Sequence, residues 1–148
     1  MIPTIHAFLG AIFSVFLFKF FDFSFSNSLL IFLSSFLFDF DHYIFYVFKR
    51  KNFNPFKCLN FYKELDDKYN RKIYLGIQKY SLCFFHTIEF LFFIFAISLF
   101  YPIFKYILIG LLFHISLDVI YESLVRKQFR KSYSVIHFIF LNPNYKEY

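Results

Sequence analysis

Residues 29–48 read LLIFLSSFLFDFDHYIFYVF, a run with no lysine, arginine, proline or glycine. A helix of that length covers about 30 Å, the thickness of a bilayer's hydrocarbon core. Its unbroken apolar character also argues against a barrel strand, which would alternate polar and apolar positions. Inside the run stand Asp39, Asp41 and His42. An ionisable group at the centre of a bilayer costs at least ~2.5–3.5 kcal/mol, so three in one stretch need a purpose.

Outward from this run the pattern recurs. Segments 5–21, 81–100 and 103–125 are also long and apolar, and they carry His6, then His86 and Glu89, then His114 and Asp118. The chain has 148 residues, of which 59% are hydrophobic and 28% aromatic. Soluble domains usually hold ~45–50% apolar residues. The expectation is an all-α fold: one membrane domain over 1–148, a polytopic bundle of four transmembrane helices. Between the second and third spans lies the hydrophilic loop 49–80, and residues 126–148 form a tail.

Charge sets the orientation. Loop 49–80 and tail 126–148 hold 14 of the 16 basic residues; Lys19 and Lys105 remain near the opposite ends. By the positive-inside rule the loop and both termini face the cytoplasm, which an even number of spans allows. The protein is therefore expected in the cell membrane as a multi-pass chain. Its net charge of +6 is read as attraction to membrane lipid and not to nucleic acid. Within the loop, Asn54-Pro55 is a cap and first helical position. From there Phe56, Leu59, Tyr62, Leu65, Tyr69 and Ile73 form one helical stripe. Phe129, Tyr133, Ile136 and Phe140 repeat the spacing, so two amphipathic cytoplasmic helices are predicted. With three glycines in the chain, close packing of the GxxxG kind is not expected as the main glue. Cys58 and Cys83 have neither disulfide nor ligand spacing.

Depth ties the polar groups together. Asp41 and His42 precede Lys49 by eight and seven residues, His86 follows Lys79 by seven and Asp118 precedes Arg126 by eight. His6 lies near the cytoplasmic start of the first span. At 1.5 Å per residue all occupy a slab roughly 10–15 Å below the inner surface. Carboxylates and imidazoles without cationic neighbours in sequence are the donor set of a divalent metal. The predicted ligands are His6, Asp39, Asp41, His42, His86, Glu89, His114 and Asp118. Helical spacing puts His114 with Asp118 and His86 with Glu89. Asp39 shares a face with His42, which leaves Asp41 aside unless that helix is irregular or one aspartate orients an imidazole. Glu122 continues the His114–Asp118 face but nears the polar boundary, so it is read as solvated. His137 is read as interfacial.

IHAFLG at 5–10, FDFDH at 38–42, FFHTIEF at 84–90 and HISLD at 114–118 resemble, in order, the motifs of the prokaryotic membrane-bound metal-dependent hydrolases. The resemblance covers residues 5–118. It implies a polytopic inner-membrane hydrolase and a ligand logic similar to that of zinc phospholipases C and related nucleases. It also implies a ligand role for His6, Asp39, Asp41, His42, His86, His114 and Asp118. Phe38 stands where proline is usual, and the His-Arg expected before His86 is missing; Glu89 is the candidate replacement. The expected chemistry is hydrolysis of a lipid or lipid-like phosphate or acyl ester by metal-activated water. The bundle would hold one or two ions, zinc first and manganese second, with Asp41 or Glu89 as general base. Metal or proton transport, and a metal-stabilised protein without catalysis, are the alternatives.

Overall fold

The computed structural model describes residues 3–74, 81–82, 84–126, 131–136 and 140. Among them the α-helices are α1 (Pro3–Phe20), α2 (Phe25–Leu37), α3 (Phe40–Arg50), α4 (Pro55–Tyr74), α5 (Ile88–Phe100) and α6 (Ile103–Ile120). Among the described residues the regular structure is helical, apart from a two-residue parallel pairing of Ser81–Leu82 with Lys131–Ser132. α2 packs against α1 and α6, and α6 against α5. Two stretches are long and apolar enough to cross a membrane, Phe25–Arg50 and Ile103–Leu124; the apolar helices Thr4–Phe20 and Ile88–Phe100 are shorter.

Small residues bring the central helices together. A methyl group at Gly10 of α1 would overlap Ser35 Oγ and lie 2.9 Å from Ser35 Cβ. At Gly110 of α6 it would overlap Ser34 Oγ and lie 2.5 Å from the Ile31 carbonyl oxygen. Neighbouring serines of α2 thus face a glycine on either side. Both hydroxyls are turned back onto their own helix, Ser34 to the Leu30 carbonyl at 2.8 Å and Ser35 to that of Phe32 at 2.6 Å. Close small-residue packing therefore does join these helices, built from single glycines set against serines, where the small number of glycines had argued against it. Above it, Phe13 and Phe113 stack at 4.2 Å between α1 and α6.

Polar and apolar residues are distributed the opposite way from a water-soluble core. Among the described residues twelve polar or charged side chains are buried against seven apolar ones. Meanwhile Phe8, Phe20, Phe92 and Phe100 are among the many large apolar groups on the outside.

Three local expectations change. The run 29–48 is not one regular helix but breaks at Phe38–Asp39, where the Asp39 amide bonds the Phe36 carbonyl and that of His42 the Asp39 carbonyl. These are i−3 bonds, one residue tighter than an α-helix. The segment 81–100 becomes helical only at Ile88, after a 3₁₀ turn over Phe84–His86. The tail enters as the extended pair Lys131–Ser132, and among its described residues the predicted helix is found only at residues 135–136 and at Phe140.

The loop helix starts as read: Asn54 Oδ1 accepts from the amides of Phe56 (2.9 Å) and Lys57 (3.2 Å). Its packed face differs, because Cys58, Phe61 and Tyr62 meet Tyr46 and its neighbours on α3 while Phe56 and Leu59 are exposed. Burial pushes the Cys58 thiol pKa up, as expected of an inert thiol. Cys83, Phe129 and His137 lie outside the described residues, as do the side chains of Leu65, Tyr69 and Ile73.

Candidate metal centre

Five elements deliver seven of the eight predicted groups to one place. His6 comes from the first turns of α1, and Gly10, one turn on, lets that helix approach α2. The Phe38–Asp39 break delivers Asp39, and the first turn of α3 delivers Asp41 and His42. Phe38, standing where the resemblance led one to expect proline, packs edge-on against Phe85 and Phe90 at 5.7 Å. The 3₁₀ turn carries His86, and α6 carries His114 and Asp118 on one face. His6, His86, His114 and Asp118 are almost fully buried, and Asp39 is 7% exposed.

The contacts among them are short. His6 Nε2 lies 3.2 Å from Asp118 Oδ1 and 3.9 Å from Asp39 Oδ2. His86 Nε2 lies 3.4 Å from Asp118 Oδ2 and 3.5 Å from Asp39 Oδ1. For His114 Nε2 the corresponding distances are 3.7 and 3.6 Å. His6, Asp39, His114 and Asp118 each offer a ligand atom within 4.8 Å of the others, and so do Asp39, His42 and His86. Tetrahedral zinc with bonds of ~2.0–2.1 Å would place its ligands about 3.3 Å apart, close to these separations.

Hydrogen bonding fixes which ring nitrogens face inward. His114 Nδ1 is 2.8 Å from the Ser35 carbonyl, an acceptor only, so Nδ1 carries a proton and Nε2 turns to the cluster. His86 Nδ1 is 3.3 Å from Asp41 Oδ2, which turns Nε2 of that ring inward as well. The two inner nitrogens lie 2.8 Å apart, with carboxylates beside them, and His6 stacks on His114 at 4.0 Å. The buried His/Asp group could hold a metal ion.

The helix break supplies the Ser35 carbonyl. In an α-helix it would accept from the Asp39 amide; that amide is diverted to Phe36, and His114 takes the carbonyl instead.

Two residues read as ligands and bases stand elsewhere. Asp41 reaches the outer nitrogen of His86 and the Phe85 amide (3.3 Å each), so it orients a ring and is absent from both four-atom and three-atom ligand groups. Both open readings of the DFDH stretch thus apply, an irregular helix and an orienting aspartate. Glu89 does not join the cluster. Its Oε1 accepts from Ser134 Oγ at 2.7 Å and from the Val135 amide at 3.1 Å, and the Ile136 amide adds a contact at 3.4 Å. The physical reason is the late helix start: Thr87 is the N-cap, accepting from the Phe90 amide at 3.3 Å. His86 therefore precedes the helix, and the i,i+3 relation to Glu89 no longer holds. Glu89→Gln is expected to keep metal content at wild-type level while loosening residues 133–136. Faster amide exchange there, with unchanged metal by elemental analysis, is the check.

Glu122 was read as solvated and is instead buried, within a π-helical turn over Tyr121–Arg126 and 3.3 Å from the Tyr133 hydroxyl. The signal was its place four residues after Asp118. The Ser35 carbonyl is the other participant missed, and a backbone acceptor leaves no residue-type signature. No protein family, characterised protein or solved structure matches the chain, so the site is interpreted from its own geometry.

Proposed function

We propose that the protein is a four-span integral membrane hydrolase that cleaves a phosphate or acyl ester of a lipid at the inner leaflet, using zinc held by the buried His/Asp group. In this arrangement both termini and loop 49–80 are cytoplasmic. The apolar exterior around a polar interior supports a lipid surrounding, and the two shorter apolar helices complete the four spans. The observation that carries the metal reading is the convergence of four buried side chains, His6, Asp39, His114 and Asp118, each with a ligand atom within 4.8 Å of the others.

Exposure supports hydrolysis over a purely structural ion. The His42 side chain is 26% exposed and that of Asp41 11%, against 0% for His6, His86, His114 and Asp118. The cluster is therefore open at one edge, on the helix that ends in Lys49 and Arg50. Those cations sit over the rings of Phe45 and Phe61 at 5.5 and 5.0 Å, the level of lipid headgroups. A transport path would need donors toward the other end of the bundle. Buried Ser14 and Ser98 there direct their hydroxyls to their own helix carbonyls, at 2.9 and 2.6 Å.

A bound zinc ion supplies Lewis acidity and lowers the pKa of coordinated water toward ~7. The chain's own contribution is to aim the imidazoles and exclude bulk water on all sides but one. With Glu89 committed to the tail, Asp41 at the open edge is the remaining candidate base. In that role Asp41 would take the proton of the attacking water as the water's oxygen bonds to phosphorus or acyl carbon. It would return that proton to the alkoxide released when the ester bond breaks, so that one water is consumed per ester cleaved. Asp41→Asn, measured with metal in excess, should cut turnover of micellar phosphate or acyl esters by ~10²–10⁴-fold. That is more than the ~10–100-fold loss of metal affinity expected of a group that orients a ligand. Metal-loaded wild-type protein inert toward lipid phosphates, phosphodiesters and acyl esters would end the hydrolase reading.

A further inference from the structure

The six inward-facing donors exceed what one tetrahedral zinc ion uses. Tetrahedral zinc takes four ligands, and His6, Asp39, His114 and Asp118 already make four. His42 and His86 remain, and together with Asp39 they form the second ligand group. Asp39 belongs to both groups. Its Oδ1 is 3.5 Å from His86 Nε2, 3.6 Å from His114 Nε2 and 3.7 Å from His42 Nε2; its Oδ2 is 3.9 Å from His6 Nε2. A carboxylate shared by two ligand groups, with imidazoles of both within reach, stands where a bridge between two cations would.

We infer that the centre holds two divalent ions: a buried one at His6, Asp39, His114 and Asp118, and a second at Asp39, His42 and His86, with Asp39 bridging them. This deepens the metal-centre reading above and rests on it. The two positions are unlike in access: every ligand of the first is nearly buried, whereas His42 brings the second to the open edge. The second ion is accordingly the one that meets solvent and substrate, and it should exchange first.

Metal content of detergent-purified full-length protein, after loading with zinc and removal of excess, tests this. Two ions per chain are expected for wild type and one for His42→Ala, with His42→Gln as a second variant that keeps a polar side chain at the rim. Limited chelator should remove one ion rapidly and the other at least tenfold more slowly. In manganese-loaded wild type the paramagnetic resonance spectrum should show an exchange-coupled pair, which requires no variant to fold. One ion per wild-type chain and an uncoupled six-line manganese signal would overturn the inference while leaving the metal centre standing. Two ions retained in a folded His42→Ala would overturn the assignment of His42. No bound ion at all would remove both readings. Two coupled ions without hydrolysis would leave this inference intact and refute the enzyme reading alone.

Discussion

Asp118→Asn should all but empty the metal centre while leaving the helices in place. The asparagine has the same shape, so packing in α6 is preserved. What changes is an anionic donor with both oxygens in use, at 3.2 Å from His6 and 3.4 Å from His86. The amide would bring N–H donors into a cluster of imidazoles and carboxylates. Losing a group that merely orients a ligand costs ~10–100-fold in metal affinity, so losing this carboxylate should cost more than ~100-fold. If the site is saturated in wild type, a 100-fold weaker affinity lowers metal-linked stability by about 2.7 kcal/mol. Elemental analysis should show near-zero retained metal. Thermal unfolding of the variant should be insensitive to chelator, whereas wild type should lose stability when stripped. An Asp118→Asn protein that keeps the wild-type metal complement would refute the metal centre.

Gly110→Ala should be the most damaging single methyl in the bundle. The added carbon meets Ser34 Oγ, and 2.5 Å away it meets the Ile31 carbonyl oxygen, which belongs to the backbone of α2. A side chain can rotate aside; a helix backbone must translate. Overpacking of this kind costs ~1–3 kcal/mol and more where the backbone is the obstacle. Gly10→Ala meets the Ser35 side chain alone, so it should cost less, and Ser35→Ala should recover part of that loss. Ser34→Ala should not rescue Gly110→Ala. Since α2 carries Ser35 and leads to Asp39, separating it from α6 should also weaken metal retention. Thermal denaturation in detergent ranks the four variants. Wild-type stability for Gly110→Ala would mean that α2 and α6 do not approach as closely as described.

Much of the cluster was legible because membranes make polarity informative. A histidine or aspartate in an apolar run is costly, so its presence alone marks His6, Asp39, His42, His86, His114 and Asp118, and counting from the basic edges gives them a common depth. The i,i+4 rule placed His114 with Asp118 correctly because α6 is regular there. The same reasoning failed for His86 and Glu89 because it assumed a helix running from 81. Thr87 followed by an acidic residue in the first turn is a helix-start pattern, and it was present in FFHTIEF. The break at Phe38–Asp39 has no proline or glycine to announce it; only the conflict in facing between Asp39, Asp41 and His42 hinted at it. The burial of Glu122 and the Glu89 contacts with 134–136 depend on where the tail returns, which no periodicity in residues 129–140 encodes. The four-span count rests on composition, with two stretches meeting the length on their own.

The two imidazoles that confront each other differ in how easily their aim can be altered. His86 leans on the carboxylate of Asp41, so one codon change can retune its basicity or let it swing. His114 leans on the main-chain carbonyl of Ser35, which every amino acid at position 35 would still present. Only straightening the α2–α3 junction, and returning that carbonyl to the helix, would release it. One ring is thus adjustable by point mutation and the other fixed by chain geometry. Variation that shifts metal preference or activity in such a bundle should accumulate around Asp41 and His86, with the His114 side held constant by the bend in the chain.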